Sequence, residues 1–200
     1  AFASVYTVNS AADTNDGVCD ALDCTLREAI NAANANTGAD GIAFQIGVGG
    51  SVTISPTSAL PPVSDPVTID GTSQPGYIGV PLVELNGSSA GEGENGLSLS
   101  GGSWIRSLGI VNFGGSGIEL GGGSNVVTGS YVGVGFGGAI ARGNGVGIHV
   151  KSATNKIGLG PASDGNVVSG NLGAGIEIAS GSANAVSGNL VGTDASGRFA

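Results

Sequence analysis

Hydrophobic and polar positions alternate over short stretches through most of the chain, as in IAFQI (42–46), SVTIS (51–55), PVTIDG (66–71) and LVELNG (82–87). Period-two alternation over a few residues, broken by Gly, Ser, Asn and Pro, predicts short β-strands. SVYTVNS (4–10) reads the same way, ahead of an acidic loop from Asp13 to Asp23. One segment has helical spacing. Leu26, Ala29, Ile30 and Ala33 recur on one face, and Gly38 is a candidate stop. Before that face, Thr25 and Glu28 are placed as a capping box, hydroxyl and carboxylate each answering a free amide. The Pro-rich stretch 56–66 and SQPGY (73–77) read as irregular connections, since β runs resume at once.

The second half repeats. The unit G-[LI]-x-[LVI] occurs at Gly96–Leu99, Gly117–Leu120, Gly147–Val150 and Gly175–Ile178. A second unit places Asn two residues before an inward aliphatic: Asn125/Val127, Asn155/Ile157, Asn166/Val168 and Asn184/Val186, with Ser103/Ile105 as a weaker copy. One unit per turn with variable loops predicts an all-β parallel solenoid. Coils stack at about 4.8 Å, and Gly or Asn make the corners. A doubly wound α/β fold needs recurrent helical patterns, which are absent, and a sandwich would not explain copies in one register. Residues 1–41 are expected to form a strand, a loop and a capping α-helix, and 42–200 the coils of one continuous domain.

Composition narrows the function. Gly supplies 40 of 200 residues, charged residues 10% and apolar residues 40%, with a net charge of −9. Apolar content this high with so little charge argues against disorder, and Gly does not recur every third residue as in collagen. Six Lys and Arg against fifteen Asp and Glu give no basic patch for nucleic acid or anionic membrane. No apolar stretch reaches the roughly 18–20 residues of a membrane span. Cys19 and Cys24 read as a local disulfide in preference to two free thiols, which favours an oxidising compartment. Ala1-Phe2-Ala3 has the small-residue pattern of a processed secretory start.

The run CTLREAINAANANTGAD, then PVTIDGTSQPGY, then NVVSGN and LVGTDASG, resembles bacterial secreted proteins that carry an N-terminal "CSLREA" motif. The resemblance covers nearly the whole chain. It implies right-handed parallel β-helix repeats, a helix capping the first coil, and a secreted or cell-surface location. It carries no settled activity and no catalytic motif. The chain departs from the pattern at 132–142, where VGVGFGGAIAR replaces the GTDATG-like loop that survives at 192–197.

The repeat register defines the main candidate site. The middle residue of G-[LI]-x-[LVI] points outward, so Ser98, Glu119, His149 and Glu177 should stack, with the single histidine roughly 5 Å from each glutamate. A histidine beside carboxylates can serve as an acid–base pair or help hold a divalent metal. The plainer reading is a surface ladder in which a cationic imidazole offsets two glutamates. Lys151 lies next outward on the same strand. A lyase or hydrolase would need clustered carboxylates, but Asp70, Glu84, Asp164 and Asp194 fall on different strands and loops. Arg106, Arg142 and Arg198 have no spacing that sets them beside the ladder. Asp13, Asn15, Asp16 and Asp20 resemble an incomplete EF-hand loop and are candidate Ca²⁺ ligands; no other cofactor is indicated. Tyr77, Tyr131, Trp104 and Phe136 could form a sugar platform.

The leading expectation is therefore an extracellular or cell-surface structural and adhesive module. No capping element follows the last repeat, LVGTDASG, which predicts self-association into a fibre or oligomer, or continuation of a longer array. The competing reading is a carbohydrate-active enzyme or glycan-binding module that meets a polysaccharide at Glu119, His149 and Glu177.

Overall fold

The computed structural model describes residues 4–160 and 164–198, so Ala1-Phe2-Ala3 lies outside the described residues. The described residues form three all-parallel sheets and one α-helix. The first sheet holds, in spatial order, β1 (Val5–Val8), β2 (Asp40–Phe44), β4 (Val67–Asp70), β7 (Trp104–Arg106), β10 (Val126–Thr128), β13 (Lys156–Ile157) and β16 (Ala185–Val186). The second holds β3 (Val52–Ile54), β5 (Val83–Asn86), β8 (Leu108–Val111), β11 (Tyr131–Val132), β14 (Val167–Val168) and β17 (Leu190–Val191). The third holds β6 (Leu97–Leu99), β9 (Ser116–Leu120), β12 (Val146–Val150) and β15 (Ile176–Ile178). From β4 onward the chain visits the first, second and third sheets in unchanging order.

The alternation fixes what each strand buries. In the first sheet Ile42, Ile69, Ile105, Val127, Ile157 and Val186 are successive partners. In the second, Ile54, Leu85, Ile110, Val132, Val168 and Val191 form the equivalent row. The third contributes two rows, Leu97–Ile118–Ile148–Ile176 and Leu99–Leu120–Val150–Ile178. All but the last members of these rows are buried. Full burial of one such side chain stabilises by about 1.5–3 kcal/mol, which explains why strands of only two or three residues persist.

Three asparagine ladders close the corners between strands. Before the first sheet, the Oδ1 atoms of Asn125, Asn155 and Asn184 each accept the backbone N–H of the residue one layer earlier: Ser103, Asn125 and Asn155. Before the second, Asn166 accepts from Ser130 and Asn189 from Asn166. Before the third, Asn144 accepts from Phe113 and Asn171 from Asn144. This corrects one feature of the predicted repeat. Asn166/Val168 belongs to the second-sheet corner and not with Asn125, Asn155 and Asn184, because the same Asn–Val–Val chemistry closes both corners. The residues before the first ladder, Ser124, Thr154 and Ala183, take positive φ of 63°, 62° and 57°, a left-handed kink that turns the chain.

The helix α1 (Leu26–Ala35) has the predicted Thr25/Glu28 capping box. Its Leu26, Ala29, Ile30 and Ala33 join the same core as Ile42 and Ile69. It ends at Asn36 and not at Gly38, since the Asn36 N–H reaches the Ala32 and Ala33 carbonyls and its side-chain amide donates to Asp40. The segment ahead of residue 42 is joined to the stacked strands through the β1–β2 pairing. No helix of the described residues is long and apolar enough to cross a membrane.

Candidate functional site

The third sheet places Ser98, Glu119, His149 and Glu177 as successive partners in one outward row. Burying Ile118, Leu120, Ile148 and Val150 forces the residues between them outward. His149 Nδ1 lies 4.0 Å from Glu119 Oε2, and His149 Nε2 lies 4.0 Å from Glu177 Oε2. Lys151 reaches back to Glu119 Oε2 at 2.7 Å, so it is an ion-pair partner of the row. The two ring nitrogens thus face different carboxylates on opposite sides. No common centre exists at which all three side chains could grip one cation, and no group of three or more His, Cys, Asp or Glu among the described residues could hold a metal. The cavity next to this row, about 250 Å³, is lined by Pro62, Ser98 and Glu119 and leaves His149 outside. Chemically the row sets an imidazole between two carboxylates.

The acidic loop is tied to the helix start. Asp13 pairs with Arg27 through both carboxylate oxygens at 2.9 Å and accepts the Thr57 N–H and hydroxyl at 2.8 Å. Burial pushes the Asp13 carboxyl up, but the Arg27 and Thr57 hydrogen bonds and the Arg27 charge bring it below its ordinary 3.8. Asp16 Oδ1 caps the Val18 N–H, and Asp20 Oδ1 takes the Leu22 and Asp23 N–H groups. Each of Asp13, Asp16 and Asp20 in the predicted Ca²⁺ set with Asn15 thus has its own local partners, and no group of three or more His, Cys, Asp or Glu among the described residues could hold a metal. Glu28, besides its capping role, accepts the Asp16 N–H. Arg27 and Glu28 of the CTLREA stretch thus clamp the loop onto the helix, and the Cys19–Cys24 disulfide closes it.

Two arrangements join residues that the sequence pattern did not pair. Glu84 on β5 points outward yet is only 1% exposed, because Gly109 beside it has no side chain and the 133–142 excursion lies over it. That excursion, held by the antiparallel Val134–Ala141 bridge, ends in Arg142, whose Nη1 meets Glu84 Oε1 at 2.6 Å. Glu84 Oε2 is buried without a hydrogen-bond partner. Arg142→Ala would leave a buried carboxylate uncompensated. Because the arginine is itself partly exposed and water can follow its removal, the expected loss is about 2 kcal/mol. Urea unfolding of the two proteins measures it, and equal midpoints would refute it.

The second is a network on the outer face of the first sheet. Arg106 pairs with Asp70 at 2.9 Å and lies 4.9 Å over the Trp104 ring, whose Nε1 donates to Thr128 Oγ1. Tyr77, from the SQPGY turn, shares a hydrogen bond with Ser107 Oγ at 2.9 Å. Burial, and after it the proximity of Tyr77, raise the Tyr131 phenol above its ordinary 10.0. A trace of this was legible, since Asp70 and Arg106 each follow a buried aliphatic of equivalent strands; the partnership needed the register. Neither a scan against protein-family models nor a search of curated proteins finds a match to this chain.

Proposed function

We propose that the chain is a structural and adhesive module of the cell surface or extracellular space, built as a right-handed parallel β-helix. The unchanging first–second–third order of sheets supports closure into a helix. The resemblance to secreted CSLREA-motif proteins supports the handedness and the location. One observation carries the structural reading. The aliphatic rows led by Ile42, Ile54 and Leu97 run buried through successive layers of all three sheets, a continuous stack that stiffens the module along its length. The candidate ladder of Glu119, His149 and Glu177, with no enclosed cleft around it, favours a scaffold over a catalyst.

Retention of fluorescently labelled protein on bacterial cells tests this. The label is expected to stay on the surface through washing and to cause no turnover of cell-envelope polysaccharide. Label that washes off completely, or release of reducing ends from the polysaccharide, would overturn the reading.

A further inference from the structure

The corner between the first and second sheets carries a groove unrelated to the Glu119–His149–Glu177 row. Its wider part, about 300 Å³, is lined by Tyr77, Arg106, Ser107, Thr128, Gly129 and Asp164. A narrower continuation of about 130 Å³ shares Gly129 and runs past Tyr131. The lining comes from successive passes of the chain, so the groove follows the stacking direction. Four layers at about 4.8 Å spacing give it a length on the order of 15 Å. The wider part is of the size that small-molecule sites begin at, roughly 300 Å³.

We propose that this groove binds a neutral, hydroxyl-rich oligosaccharide laid along the stack. Its polar groups are fixed in advance: Asp70 and Trp104 hold the Arg106 guanidinium, and Ser107 holds the Tyr77 hydroxyl. Preorganised donors lose little freedom on binding. Arg106 keeps further N–H donors beyond the one given to Asp70, and Asp164 in the same lining offers an acceptor, which suits a ligand presenting hydroxyls in both senses. The phenols of Tyr77 and Tyr131 add ring surface for the apolar faces of sugars.

Charge separates this ligand from others. Arg106 is already neutralised by Asp70, Asp164 is anionic, and the whole chain carries −9, so an acidic glycan or a nucleic acid would be repelled. An added peptide strand is excluded as well, because β7 and β10 are paired on both sides.

Trp104 is the single tryptophan and touches Arg106, so its fluorescence reports on the groove. The probes are cellohexaose, xylohexaose, maltohexaose and chitohexaose, with hexagalacturonate as the acidic comparator, each also titrated by calorimetry. At least one neutral hexasaccharide is expected to give a saturable signal. Tyr77→Ala and Asp164→Ala should each weaken it about tenfold or more, the scale of one lost hydrogen bond or ring contact, while Tyr77→Phe keeps most of it. Unchanged circular dichroism and melting would show that the variants fold. No saturation with any neutral probe, tighter binding of hexagalacturonate, or binding indifferent to both alanine variants would overturn the proposal. Surface retention is read on whole cells without added oligosaccharide, so failure of either idea leaves the other standing.

Discussion

Gly147→Ala is expected to cost about 3 kcal/mol, the upper part of the usual range for overpacking a tight core. The backbone at Gly147 lies outside the left-handed region, so the cost is one of space. A methyl there would fall onto the Gly175 carbonyl oxygen and come within 2.8 Å of Asn171 Nδ2 and Val168 Cγ1. That oxygen accepts the Ile148 N–H at 2.8 Å, so moving it opens the hydrogen bonding between β12 and β15. Gly117 stands in the same position one layer earlier, its added Cβ 2.9 Å from the Gly147 carbonyl oxygen and from Val132 Cγ1. The recurring glycine of the third-sheet repeat is thus where strand and corner press together in successive layers. Gly137→Ala is the contrast. It has φ of 80° and nothing within 4 Å, so only the left-handed penalty of about 1–2 kcal/mol applies. Chemical denaturation of the three proteins checks the ranking, and a Gly147→Ala protein as stable as the parent would refute it.

Asn155→Ala should be as damaging by a different route, about 3–4 kcal/mol. Asn155 Oδ1 accepts both the backbone N–H and the side-chain Nδ2 of Asn125 at 3.0 Å, and its Nδ2 donates to Asn184 Oδ1 at 3.0 Å and to Ser152. Asn125 and Asn155 are fully buried, so truncation leaves the Asn125 backbone N–H with no acceptor and its Nδ2 with the Gly122 carbonyl alone, each lost bond costing about 1–3 kcal/mol. For a chain of this length that corresponds to a melting temperature lower by roughly 10 °C. Asn155→Asp restores the acceptor but sets a carboxylate oxygen against Asn184 Oδ1, and should melt between the two. Thermal unfolding followed by circular dichroism decides the order; an alanine variant melting with the parent would remove the ladder from the account of stability.

The two substitutions mark what sequence could and could not convey. The third-sheet unit was readable because one glycine, two inward aliphatics and one outward residue recur without competition, and from this the row Ser98–Glu119–His149–Glu177 could be placed by spacing alone. The helix start was readable because capping chemistry is local. The asparagine corners were only half readable. Asn125-Val126-Val127 and Asn166-Val167-Val168 are the same string, yet the first closes onto β7 and the second onto β11.

Alternation and spacing thus determined the strands, the parallel stacking, the cap and the outward row, because each depends on residues near in sequence or repeated along it. Tertiary structure alone decided that Arg142 covers Glu84 from 58 residues away, that the acidic loop is tied to Arg27 instead of gathering its carboxylates, and that Tyr77, Arg106 and Asp164 share a groove. Those partners lie on different layers, and which side chains meet across layers depends on loop lengths that no local pattern encodes.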